Sequence, residues 1–258
     1  MTRGAVSLGL AGALGPEAVA RIAPEVERAG FHTLWINDTA DGDALAALAA
    51  AAGVTERLHL ATGVVPVDRR PGDVIAAEVA SLSLPLERLT VGIGSGIAKE
   101  GALARVRDAI DALHGAGIPR VLVGALGPKM RRTGVERAEG VLLNWVPPVE
   151  ARVQTAALHE ISPGAHVAVY VRTAIVPAAR GRLDAETARY ASFPNYAANF
   201  ARMGVDAADT TIRDVTELSG ALEAYTAATD EVVLRAIVPE DTVEAYIDFV
   251  RRTAPSPS

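Results

Sequence analysis

The chain has 258 residues, is 50% hydrophobic, carries a net charge of −6 and contains no cysteine. Those figures exclude a disulfide framework and a thiolate metal site, and they leave no basic footprint for nucleic acid. No signal-peptide pattern opens the chain, and the run Ala44–Ala52 is too short and too weakly apolar to cross a bilayer. The expectation is a cytoplasmic protein with no membrane or nucleic-acid partner.

The elements follow one another regularly. An apolar run at 6–10 opens the chain, and helical spacing over 16–29 stops at Gly30. Residues 31–36 are rich in strand formers, and 43–52 predict a helix that Asp43 can cap. A strand over 58–65 precedes a helix over 72–82, which starts at Pro71 and Gly72. A strand over 88–93 ends in glycines, and an amphipathic helix over 101–114 stops at Gly115. Strands at 121–123 and 141–143 flank a short helix that Gly127 and Pro128 open. A helix over 149–160, a strand over 166–173 and single helices over 184–203 and 215–228 come next. A last strand over 232–238 and a helix over 242–252 close the fold, leaving 253–258 as a flexible tail.

Strands therefore start near residues 6, 31, 58, 88, 120, 141, 166 and 232, nearly all separated by helices. Such alternation means parallel strands joined by helical crossovers. Eight units favour a closed (β/α)8 TIM barrel of the α/β class, one domain over 1–252, with an open doubly wound sheet as the alternative. In such a barrel, function sits in the loops that follow the strands.

The loop Ala125, Leu126, Gly127, Pro128, Lys129 has the chemistry of a phosphate site: free amides, a helix N-terminus and a cation. Of the 25 basic residues only Lys99 and Lys129 are lysines, which sets Lys129 apart. The plainer alternative is a strand-to-helix turn with a solvated lysine. Gly92-Ile93-Gly94-Ser95-Gly96 can admit a flat ligand or a phosphate, or can be a tight turn; it does not match the dinucleotide fingerprint. Asn37-Asp38-Thr39 ends the second strand, where a carboxylate acts on a ligand or else caps the next helix. Asp38 is the catalytic candidate, and Asn37 and Trp145 are candidate substrate contacts at strand ends. Trp35, mid-strand, is assigned to packing. None of the five histidines falls on an active-face loop, so neither a histidine metal site nor a serine–histidine triad is expected. Phe193, Tyr196 and Phe200 share one helix face, which fits core or a subunit interface.

Several stretches together resemble the luciferase-like monooxygenase superfamily, and within it the oxidoreductases that use the deazaflavin coenzyme F420. They are 29–38 (AGFHTLWIND), 60–65 (LATGVV), 88–96 (RLTVGIGSG), 125–130 (ALGPKM), 136–145 (ERAEGVLLNW) and 193–200 (FPNYAANF). The resemblance implies a (β/α)8 barrel, a homodimer, and a deazaflavin or flavin ring over the end of strand three, at a cis peptide bond between Gly63 and Val64. It implies that the phosphate-bearing tail meets 125–129, that the backbone of 94–96 contacts the ring or tail, and that Asp38 stands beside the ring. The activity so implied is hydride transfer between F420 and a small organic substrate. An FMN-dependent monooxygenase, and a cofactor-free non-redox enzyme or binding protein, are the alternatives on the same barrel. Thr39 stands where many relatives have a histidine, and the piece between Gly96 and Arg120 is shorter than theirs.

Overall fold

The computed structural model describes residues 3–97 and 100–255. Strand β1 (Ala5–Ala11) leads to α1 (Gly15–Arg28), β2 (Thr33–Asn37), α2 (Ala44–Ala52) and β3 (His59–Thr62). The two-residue β4 (Val65–Pro66) is followed by α3 (Gly72–Ser81), β5 (Leu89–Gly94), α4 (Ala102–Gly115), β6 (Val121–Gly124) and α5 (Pro128–Arg137). Then come β7 (Gly140–Asn144), α6 (Pro148–Ile161), β8 (His166–Thr173), α7 (Arg180–Ala191) and α8 (Pro194–Met203). Helix α9 (Val215–Thr226), β9 (Glu231–Ala236) and α10 (Val243–Arg252) complete the chain.

Each pairing between these strands is parallel. β1 pairs with both β2 and β9, and β3 pairs with β5, which closes the ring. β4 continues β3 beyond the Gly63–Val64 bond and also pairs with β5, so the two form one stave. Eight staves result among the described residues, and the protein is a (β/α)8 barrel rather than an open sheet. The Gly63–Val64 peptide bond is cis.

One helix differs from the sequence expectation. The pattern over 184–203 predicts a single helix, but α7 ends at Ala191 and α8 starts at Pro194. Proline has no amide to donate and its ring crowds the preceding turn, so the helix breaks and restarts with Pro194 as its first residue. At the other end, Thr253 is buried, and its hydroxyl donates to the Phe249 carbonyl at 2.8 Å. Lys99 and the tail residues 256–258 lie outside the described residues.

Side chains alternate along each stave between the helices and the barrel interior. The interior middle is filled by Trp35, Ala61, Leu122, Leu142, Ala168, Tyr170 and Val233. Large side chains there depend on small ones opposite: a Cβ on Gly9 would come within 2.4 Å of the Tyr170 hydroxyl oxygen. At the N-terminal end, Glu231 is fully enclosed. It accepts from Ser7 Oγ, from Trp35 Nε1 at 2.7 Å and from His166 Nε2 at 2.8 Å. Burial would raise its pKa, but His166 and these hydrogen bonds hold it at about 2. The His32 and His59 rings stack 4.9 Å apart. These three histidines thus stand at the end of the barrel opposite the strand-following loops.

Candidate active site at the barrel mouth

The C-terminal ends of the staves form a ledge floored by small residues. Val64 projects over it, and the neighbouring staves make room. A Cβ on Gly94 would sit 2.6 Å from Val64 Cγ2, and one on Gly124 would sit 3.0 Å from Val64 Cγ1. A Cβ at Gly94 would force Val64 to shift, whereas one at Gly124 would ask it to give by only a few tenths of an ångström. Asn37, on the inward register of β2, donates from Nδ2 to the Gly63 carbonyl. The Tyr170 hydroxyl in turn donates to Asn37 Oδ1 at 2.7 Å. Burial pushes the Tyr170 pKa well above its ordinary value, so the hydroxyl keeps its proton.

Asp38 is the next residue after Asn37, so the strand period turns it the other way. Its side chain is fully buried against α2 rather than facing the ledge. It accepts from the Ala44 amide at 3.2 Å, forms an ion pair with Arg69 and lies 3.8 Å from Arg70. Asp43 accepts from the amides of Leu45 and Ala46 and caps α2, as its position in the sequence predicts. The Asp43 carboxyl is partly buried, yet the Ala46 amide and Arg70 hold its pKa below the ordinary range. The segment after β4 is thus fastened through Arg69 and Arg70 to the end of β2.

The 94–96 loop is fastened too. Gly96 has φ +71°, and a Cβ there would overlap the Asp68 carboxylate. The Ile97 amide donates to Asp68 Oδ2 at 2.8 Å. Gly94 is buried, Ser95 is partly exposed and Gly96 is exposed, so this turn presents its backbone to the mouth.

On the next loop, Ala125 is buried and its amide donates to the Leu142 carbonyl at 3.1 Å. Gly127 precedes α5 with no side chain capping the helix amides, and a Cβ there would meet nothing within 4 Å. Pro128 and Lys129 are exposed. Two further cations stand here. Arg131 donates to the Leu126 carbonyl at 3.1 Å and to Gln154 Oε1 at 2.8 Å. Arg202, from α8, donates to the same carbonyl at 3.4 Å and to Asn199 Oδ1. Neither guanidinium forms an ion pair among the described residues. Burial and the nearness of Arg202 lower the Arg131 pKa. Two like charges beside uncapped amides give this corner a positive potential, the chemistry that favours an anion.

Trp145 does not reach the ledge. It has φ +56°, is 1% exposed and packs with Phe200 and Ala207 beneath α7 and α8. Tyr190 and Tyr196 cover the same cluster, while Phe193 is 40% exposed, so the aromatic face serves mainly as core. The Arg172 guanidinium lies 4.2 Å from the Trp145 ring centroid and 4.8 Å from that of Tyr190. Arg172 also donates to Asn144 and pairs with Glu186 at 3.0 Å. Burial would raise the Glu186 pKa, but Arg172 and Arg235 bring it below the ordinary range.

The structure thus brings Asn37, Gly63, Val64 and Gly94 together, places 125–129 on a neighbouring loop, and turns Asp38 and Trp145 away. Tyr170, Arg172 and Arg235 were missed by sequence reasoning. Their signal was present: a polar or charged residue on alternate positions of the apolar strands VAVYVRT and EVVLRA. Arg131 and Arg202 had no such signal, because helix α8 had to be folded over α5 first. Among the described residues, Thr39 Oγ1, Trp145 Nε1 and Asn199 Nδ2 are buried with no hydrogen-bond partner. No cluster of residues suited to a metal ion occurs among them, and no helix is long and apolar enough to cross a membrane.

Residues 2–116 match the model of the luciferase-like monooxygenase family, the superfamily that the sequence resembles. Solved structures share the fold along the whole chain. A coenzyme F420-dependent tetrahydromethanopterin reductase from Methanopyrus kandleri is 17% identical with a TM-score of 0.72, covering 97% of this chain and 98% of that one. An F420-dependent secondary alcohol dehydrogenase, solved with an F420–acetone adduct, is 13% identical with a TM-score of 0.74, covering 98% of both chains. A type II Baeyer–Villiger monooxygenase from Pseudomonas putida, solved with FMN, is 12% identical with a TM-score of 0.63, covering 97% of both. No curated protein matches the sequence.

Proposed function

We propose that this luciferase-like chain is an oxidoreductase that moves a hydride between coenzyme F420 and a small organic molecule at the barrel mouth. One observation supports the reading most: Arg131 and Arg202 converge on the Leu126 carbonyl beside the uncapped start of α5. That donor set suits a phosphate-bearing tail, with Lys129 as a third cation. The glycine-floored ledge beside it suits a flat ring. In this reading Gly63, Val64, Gly94, Ser95 and Gly96 hold the ring, and Ala125, Leu126, Gly127, Pro128 and Lys129 hold the tail. The coenzyme supplies the hydride chemistry.

The chain's own residues orient and enclose. Asn37 is fixed between Tyr170 and the Gly63 carbonyl, so its position at the ring edge is set before a substrate arrives. Asp38 acts at one remove, as a positioning residue that ties the 69–70 segment to the end of β2. Thr39, where many relatives have a histidine, has a buried, unpartnered hydroxyl, which in this reading is the group on that strand end left to hold a proton. Trp145 supports the wall from behind, through Arg172.

The test is a fluorescence titration with F420 beside one with FMN. The reading requires saturable binding of F420. Lys129→Ala should weaken it several-fold, and Arg131→Ala by about tenfold, the worth of one charge-assisted hydrogen bond. FMN binding alone would point to the monooxygenase alternative, and binding of neither would reject both cofactors.

A further inference from the structure

A pocket of about 330 Å³ opens at the barrel mouth between α7 and the segment joining β9 to α10. Its charged lining is Arg182, Glu186, Arg189, Arg235 and Asp241. The two carboxylates are already taken. Glu186 pairs with Arg172, while Asp241 pairs with Arg182 and accepts from the Tyr246 hydroxyl at 2.8 Å. Arg189, exposed on α7, and the more enclosed Arg235 are the two cations left without an ion pair among the described residues, and Glu186 and Asp241 still act on Arg235 through space. The one hydrogen bond of Arg235 among these residues goes to the neighbouring Ala236 carbonyl. An arginine has five donors, and leaving a part-buried guanidinium with one acceptor is costly unless something else fills the site. Ala185, Ala236, Ile237 and Val238 supply an apolar side to the same pocket.

We propose that this pocket binds a small organic carboxylate, which the Arg235 guanidinium grips by its two oxygens. A planar carboxylate matches the two-donor edge of one guanidinium. A phosphate dianion asks for more uncompensated charge than one enclosed arginine provides. The volume suits a small molecule rather than a peptide. The location gives the site its use. Arg235 lies level with Gly9 and Arg172 on the inner face, and a Cβ on Gly9 would meet the Tyr170 hydroxyl. Tyr170 bonds to Asn37, and Asn37 to Gly63. Arg235 thus stands on the same inner face as the residues that hold the ledge, one hydrogen-bonded chain away from it. Naming the carboxylate as the hydride-transfer substrate rests on the F420 reading; the binding itself does not.

The test is calorimetry on the full chain without added coenzyme, with benzoate and glutarate as probes, benzamide as the neutral match to benzoate, and inorganic phosphate for comparison. At least one carboxylate should bind and benzamide should not. Arg235→Gln should weaken that carboxylate about tenfold or more, and Lys129→Ala should leave it unchanged. F420 titration of Arg235→Gln should match the wild type, which separates this pocket from the cofactor loop. Should Arg235→Gln fail to fold, Ala185→Phe, on the exposed rim, narrows the pocket and should weaken binding equally. The proposal is overturned if neither carboxylate binds, if benzamide or phosphate binds as well as the carboxylates, or if the loss follows Lys129 instead of Arg235. Carboxylate binding at Arg235 without F420 binding would keep the pocket and reject the cofactor.

Discussion

Replacing Glu231 by glutamine tests how the bottom of the barrel holds the mouth in shape. The substitution keeps the volume and one acceptor oxygen for Ser7 and Trp35, and replaces the charged oxygen that accepts from His166 with an amide NH2. The Glu231 pKa falls from an ordinary 4.5 to about 2 in the folded protein. A depressed carboxylate stabilises above its unfolded pKa and loses that contribution as pH falls through the folded one. At about 1.4 kcal/mol per pKa step, the ionised form contributes roughly 3 kcal/mol at pH 6. His166 works from the other side. Burial opposes its charge, but the bond to Glu231 raises its pKa above 6.5, so its share is present at acid pH and fades as pH rises through that raised value. The pair is therefore strongest between about pH 4.5 and the raised His166 value. Urea unfolding across pH 3 to 8 measures this. Glu231→Gln should be least stable relative to wild type near pH 6, with a melting temperature lower by about 6–12 °C. The gap should narrow toward pH 3 and also as pH rises through the raised His166 value. A gap of constant size across the range would show that packing, not ionisation, carries the effect, and the reasoning would fail.

Three further substitutions probe the mouth. Tyr170→Phe leaves Asn37 Oδ1 without its donor, which should cost about 1–3 kcal/mol in urea unfolding and lower turnover more than cofactor affinity; an unchanged turnover would remove Asn37 from the site. Gly94→Ala drives a Cβ against Val64, so cofactor affinity should fall about tenfold while stability drops by about 1–3 kcal/mol, read by titration and thermal melting. Asp38→Asn releases Arg69, and turnover should fall with cofactor affinity nearly intact; equal turnover would leave Asp38 with a purely structural part.

The sequence by itself determined the alternating elements and favoured the barrel. Alternation of strands and helices is a local property, written in apolar runs, caps such as Asp43, and glycine or proline stops; eight such units favour closure, and the β3–β5 pairing decides it against an open sheet. The start of α5 was legible for the same reason, since Gly127, Pro128 and Lys129 act on their own backbone. Side-chain direction was a different matter. Parallel strands are buried on both faces, so their apolar runs do not show which residues face the axis. Only the closed barrel decided that Asn37 turns inward and Asp38 outward, and that Arg172 and Arg235 lie side by side. Tertiary contact also decided the charge at the 125–129 loop. Arg202 reaches the Leu126 carbonyl across 76 positions of chain, because Pro194 breaks the predicted long helix and lets α8 fold over α5. Local chemistry fixes elements; convergence of distant side chains depends on closure and register, which no single segment encodes.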